Sequence, residues 1–170
     1  MPIITPIDEE GSDIREEADA VIDRAIVPAL RANGYKHYIV AHRIIKPGRI
    51  TNDIFTLIEI CDLVIANLSY LKPNVMYELG ARHATGKPII HICNHKTGFP
   101  FDTADVRRIE YKNIIGGELP LIEKLTDAIR KAMSPEKLMD PINQAKSTKK
   151  TMNDAKKKQL IEKSAFKIEE

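Results

Sequence analysis

Residues 62 to 88 read DLVIANLSYLKPNVMYELGARHATGKP and hold the chain's best candidates for chemistry. Leu63 to Leu68 is nearly all apolar, as a strand covered on both faces should be. It would deliver Asn67 and Ser69 to its carboxyl end. A loop over Ser69 to Pro73 then enters a helix of about Val75 to Thr85, with Asn74 as the expected cap and Glu78 in the first turns. Free N–H groups at a helix start attract phosphate or other anions. A carboxylate one turn in faces whatever the anion is attached to. A phosphorylated sugar fits this arrangement, with its anomeric carbon near Glu78, because a carboxylate can stabilise or trap an oxocarbenium-like sugar. Two plainer readings stand beside this one. The helix dipole favours Glu near any helix start, and Glu78 and Arg82 have the i, i+4 spacing of a helix ion pair.

These residues must be positioned by an alternation of short apolar runs and amphipathic stretches. Ile3 to Ile7 reads as the first strand, and a polar loop over Asp8 to Ser12 follows, with Ser12 as helix cap. A helix over Ile14 to Ala32 carries Ala18, Val21, Ile22, Ala25, Ile26, Ala29 and Leu30 at three- and four-residue spacing. Pro28 should kink or restart it, and Asn33 with Gly34 should end it. His37 to Ala41 reads as a strand, and Thr51 or Asn52 as the cap of a second helix ending near Ile60. Gly86 ends the Glu78 helix, and Pro88 to Cys93 forms the next strand. Arg108 to Tyr111 reads as an edge strand. Gly116 and Gly117 open a last helix over Leu119 to Met133. Such alternation predicts an α/β fold, a flavodoxin-like or TIR-like three-layer sandwich with about five mainly parallel strands. Ligands of such sheets sit beyond the carboxyl ends of the strands. The loops after strands one, three and four are therefore the places to seek a site.

Composition narrows the function classes. The 170 residues are 43% hydrophobic and 29% charged, with a net charge of +2. Aromatics make up 5% and Trp is absent, which argues against a stacking platform for a nucleic-acid polymer. The two cysteines, Cys61 and Cys93, lie in apolar runs and read as buried thiols of a reducing compartment. No basic-then-apolar leader and no apolar run of roughly 20 residues is seen, so a cytoplasmic protein without membrane contact is expected. Residues 1–133 read as the α/β domain and 134–170 as a Lys-rich linker with a C-terminal helix. That tail holds nine Lys/Arg against six Asp/Glu.

His91, Cys93 and His95 alternate and can share one face of a strand. No further ligand cluster completes a metal site, so no metal or other cofactor is expected. Arg15 can bind phosphate through its fork, or pair with Asp19 at i+4. Asp102 can reach the site or serve as a turn residue.

The Glu78 segment resembles the nucleoside 2-deoxyribosyltransferase-like superfamily, including its deoxynucleoside-monophosphate N-glycosidase branch. Tyr77, Glu78, Leu79 and Gly80 match that family's YELG element, and Gly86, Lys87 and Pro88 match its turn into the following strand. The resemblance covers roughly residues 3 to 132. It assigns Glu78 the attack on, or stabilisation of, the anomeric carbon. It gives Asp53 an assisting acidic role and Asp8, Ser12 and Arg15 a place in the site. Tyr77, Asn67, Ser69 and Asn74 complete the expected substrate contacts. Two departures bear on the substrate. Pro73, Asn74 and Val75 stand where the transferases have Asp-Gly-Thr, and Lys72 stands where the monophosphate hydrolases have small and Ser residues. The layout is also similar to TIR-like domains that cleave the nicotinamide–ribose bond of NAD. Together these imply cleavage or transfer of an N-glycosidic bond in a nucleoside, nucleotide or NAD-like dinucleotide, within a homo-oligomer. A nucleotide sensor without turnover, and a scaffold working through its Lys-rich tail, are the alternatives.

Overall fold

The computed structural model describes residues 1–40, 43, 50–99 and 107–133, without the side chains of 50–53. Asp102, the Lys-rich tail and the Asp53 side chain therefore lie outside the described residues. Five parallel strands form one sheet in the order β2-β1-β3-β4-β5. The strands are β1 (Pro2–Ile4), β2 (Ile39–Val40), β3 (Val64–Asn67), β4 (Ile89–Asn94) and β5 (Ile109–Tyr111). The helices are α1 (Asp13–Val21), α2 (Val27–Ala32), α3 (Ile50–Ile60), α4 (Pro73–Thr85) and α5 (Glu118–Ala132). This is the doubly wound order in which the chain reverses direction between β1 and β3, and such a reversal opens a crevice at the strands' carboxyl ends.

Strand alternation divides the core into two layers. Ile3, Ile65, Ile90 and Ile92 face α1, α2 and α5, where they meet Ile22, Ile26, Leu125 and Ile129. Ile4, Val64, Ala66 and Cys93 face α3 and α4, where they meet Ile58, Val75 and Leu79. Val64, Ile65 and Ala66 are wholly buried, which explains the unbroken apolar run in the sequence.

Pro28 acts through the turn before it. Between α1 and α2 the backbone forms a π-helical turn over Ile22–Ile26, in which the Val27 N–H donates to Ile22 O, five residues back. Pro lacks the N–H that would continue the ladder, and its ring would strike the Arg24 carbonyl in a regular helix. The widened turn relieves that clash without breaking the rod. Ser12 caps α1 through its Oγ, which accepts from the Arg15 N–H at 3.3 Å.

Several expected boundaries are corrected. The first strand ends at Ile4, and Ile7 is 38% exposed. α3 already begins at Ile50, so Thr51 and Asn52 lie inside it and do not cap it. α4 begins at Pro73, and its cap position is Lys72, with no side-chain bond. Asn74 is therefore inside the first turn, because Pro at the helix start holds Lys72 extended and leaves the cap one residue earlier than Asn74 allows. Cys93 is buried, whereas Cys61 is only partly so.

Arg82 ties the α4 layer together. Its side chain is fully buried and donates to the carbonyls of Ile58, Cys61, Asp62 and Pro88. The first three lie at the carboxyl end of α3, where the helix dipole favours a cation. Burial pulls the guanidinium pKa down, opposed by the fields of Cys61 and Asp62.

Candidate functional site

Two carboxylates lie at the carboxyl edge of the sheet, one in each layer, and their surroundings are opposite. Glu78 sits in the second turn of α4, 8% exposed. Its Oε2 takes no hydrogen bond, and neither do the buried Thr5 Oγ1 and Asn74 Nδ2. Thr5 directly follows β1, Asn74 opens α4 directly after the β3 loop, and α4 packs on β1. Asn74 and Glu78 stand one helical turn apart on α4, and Thr5 stands at the carboxyl end of β1. A buried polar atom left unpaired costs about 1–3 kcal/mol, and native folds keep few of them.

The Glu78–Arg82 ion pair that the spacing allowed does not form, since the Arg82 guanidinium is committed to four carbonyls. With no cation beside it among the described residues, burial pushes the Glu78 carboxyl up to about 7. A carboxyl so tuned changes charge near neutral pH, which suits acid–base or nucleophilic work. At the start of α4, Pro73 has no N–H, and Met76 N–H is the first to reach back, to Lys72 O at 3.1 Å. The N–H groups of Asn74 and Val75 are thus the helix's free donors.

Glu17, which sequence reasoning passed over, occupies the opposite layer. Its Oε1 accepts from Asn94 Nδ2 at 2.8 Å and Tyr111 Oη at 2.9 Å. Its Oε2 accepts from Tyr70 Oη at 2.7 Å and Asn113 Nδ2 at 3.1 Å. Burial alone would raise its pKa, but these four donors hold it below the usual carboxylate value. The clue in the sequence was position: Glu17 lies on the apolar stripe of α1, three residues after Ile14 and four before Val21. Its four donors are scattered over β4, β5 and two loops, so no local motif could reveal them.

Asn67 and Ser69 belong to this Glu17 network and not to the Glu78 group. Asn67 Oδ1 accepts from Ser69 N at 3.1 Å and Ser69 Oγ at 2.7 Å. The Ser69 and Tyr111 hydroxyls stand 2.9 Å apart, and Asn94 N–H donates to Ser69 Oγ at 2.8 Å. The structure thus separates Asn67 and Ser69 from Glu78, on opposite faces of β3. The turn that joins the two layers is strained: Tyr70 and Leu71 have φ of 63° and 46°. Neither is Gly, so each costs energy that surrounding contacts must offset. The Tyr70–Glu17 bond is one of those contacts, and burial with that carboxylate raises the phenol to about 12.

The remaining expected residues are placed as follows. Asp8 accepts from Lys72 Nζ at 2.7 Å, which joins the loop after β1 to the loop after β3 across the crevice mouth. That bond is the main cause of a lowered Asp8 pKa. Arg15 pairs with Asp19 at 3.0 Å, and Asp19 also takes Arg43 at 2.7 Å. Tyr77 is 71% exposed on the outer side of α4, edge-on to Phe55 with ring centres 5.2 Å apart. His91 pairs with His83 of α4, Nε2 to Nε2, at 3.3 Å, and its Nδ1 stands 3.4 Å from Arg107 O. Among the described residues no group of three or more His, Cys, Asp or Glu could hold a metal ion. Nor is any described helix long and apolar enough to cross a membrane.

No family model matches the chain, and no curated protein matches it. Among solved structures it is similar to the CMP N-glycosidase BcmB of Clostridium botulinum. The match has 21% identity and a TM-score of 0.49, and covers 74% of this chain and 97% of that one. A likeness of that size transfers no residue's role and no activity.

Proposed function

We propose that the chain cleaves or transfers the N-glycosidic bond of a nucleoside, nucleotide or NAD-like dinucleotide, with Glu78 at the anomeric carbon. One observation supports this above the others: a buried carboxylate whose Oε2 has no partner, on the helix that follows β3 and one turn from the unpaired Asn74 amide. In the proposed reaction the bond from the anomeric carbon to the base nitrogen breaks, and its electron pair leaves with the base. Ionised Glu78 either forms an ester to the anomeric carbon or stabilises its positive charge. Water then completes hydrolysis, or a second base completes transfer. A proton must reach the departing base. Asp53, in the first turn of α3, is the proposed donor. Asn74 Nδ2, Thr5 Oγ1 and the free N–H groups at the start of α4 would hold sugar hydroxyls or phosphate. The Lys72–Asp8 pair would read the charge of what enters.

The test is product analysis with panels of nucleosides, nucleoside monophosphates and NAD. Released base or base exchange is expected with one of them, and Glu78→Gln should lower the rate at least about a thousandfold while the fold is kept. No released base from any member, or full activity in Glu78→Gln, would sink the reading.

One observation favours a second reading. Burial raises the Glu78 carboxyl toward its neutral form, and a neutral carboxyl can donate a hydrogen bond to a ligand that is bound without turnover. Thermal-shift screening separates the two: a nucleotide that stabilises the protein and is recovered intact identifies a sensor.

A further inference from the structure

Two consecutive residues between β3 and α4 are left-handed without being glycine, Tyr70 at φ 63° and Leu71 at φ 46°. Glycine at either place would remove the cost, so the chain keeps a strained turn where an unstrained one was open to it. Tyrosine supplies what glycine cannot, a hydroxyl that donates to Glu17 Oε2 at 2.7 Å. Packing does little of the holding, since Tyr70 is 44% exposed. The Glu17 carboxylate is itself fixed by Asn94 at the end of β4, Tyr111 at the end of β5 and Asn113 beyond it.

The turn has little slack at either end. Before it, Ser69 N–H donates to Asn67 Oδ1, and Ser69 Oγ accepts from the Asn94 N–H. After it, Lys72 is extended, with φ of −59° and ψ of 135°. Its Nζ bonds Asp8, and its carbonyl accepts from the Met76 N–H in the first turn of α4. A change of φ at Tyr70 therefore passes to Lys72 and the first residues of α4, and Asn74 and Glu78 move with them.

We propose that Glu17 and Tyr70 are positioning residues, whose bond holds the left-handed turn and so sets where the start of α4 places Asn74 and Glu78. Glu17 thus acts on Glu78 through the turn, from the opposite layer of the sheet. Strain held by surrounding contacts is a means of keeping a site in one geometry before its ligand arrives. That the geometry serves a substrate rests on the reaction proposed above; the placement itself does not.

The test is a carbon NMR titration of the Glu78 carboxyl, assigned by its absence in Glu78→Gln, in the full chain and two variants. Tyr70→Phe removes one hydroxyl from a half-exposed ring and should leave circular dichroism unchanged. Its Glu78 midpoint should fall from about 7 by roughly one unit or more, toward 4.5, as a displaced helix start admits water to the carboxyl. Tyr70→Phe with Leu71→Gly relieves strain that the lost bond had offset, and should recover at least about half of that fall. A midpoint that Tyr70→Phe leaves in place overturns the proposal, as does a fall that the double variant does not recover. The titration needs no turnover, so a chain that releases no base sinks the reaction and leaves this measurement decisive.

Discussion

Arg82 stands one helical turn beyond Glu78 on α4 and leaves it unpaired, because four backbone carbonyls take the whole guanidinium. A helix with the spacing of a surface ion pair thus holds two buried ionisable groups with no contact between them. The arginine is structural, and the glutamate is left with a raised pKa.

The sign of that shift predicts how stability depends on pH. Glu78 titrates at about 7 in the fold against a reference of 4.5. The folded state therefore binds the proton more tightly, and stability falls as pH rises from 4.5 to 7. Glu78→Gln should match wild type near pH 4.5 and exceed it by roughly 2–3 kcal/mol at pH 8. Urea titrations of both proteins across this range check the difference, and a variant no more stable at pH 8 contradicts the shift.

The same ionisation should appear in turnover. If Glu78 must be charged to meet the anomeric carbon, kcat/KM should rise with pH and level off above about 7. A rate that falls through that pH would instead assign Glu78 the role of acid. Steady-state rates on the substrate identified by the panel give the profile directly.

Glu17 should behave in the opposite sense. Its folded pKa is depressed, so its contribution is complete above the unfolded value and is lost as pH falls through the folded one. Glu17→Ala would strand four donors and should cost on the order of 3 kcal/mol at pH 7. Denaturant midpoints for Glu17→Ala measure this, and a loss under about 1 kcal/mol would show the network to be slack.

Arg82→Lys tests the carbonyl clamp. Lysine offers three donors from a single point and cannot reach four carbonyls. A loss of about 2–4 kcal/mol is expected, with faster amide exchange at the carboxyl end of α3. Hydrogen exchange localises the effect, and unchanged protection there would show that the clamp is not what holds that end.

Most of the frame was legible in the sequence because it rests on local signals. The apolar run over β3, the left-handed Gly86 that closes α4 and the cap at Ser12 are each dictated within a few residues. The edge position of β5 also stands as expected. What was not legible depends on contacts distant in sequence. Glu17 reads as one of two consecutive glutamates on a polar helix until Asn94 and Tyr111 close on it. Asn67 and Ser69 follow Val64 to Ala66 into the sheet edge, but which layer they face is set by pleat parity, and parity turns them from Glu78. The choice between an Arg82 ion pair and an Arg82 clamp could be settled only by the carbonyls of α3 and β4.

The π turn over Ile22–Ile26 has a consequence for what this chain can lose. It accommodates one residue more than an α-helical turn of the same rise, so the rod from Asp13 to Ala32 contains a built-in insertion. Deleting one residue there would restore regular winding and set the Pro28 ring against the carbonyl four residues before it. The segment tolerates change of side chain far better than change of length.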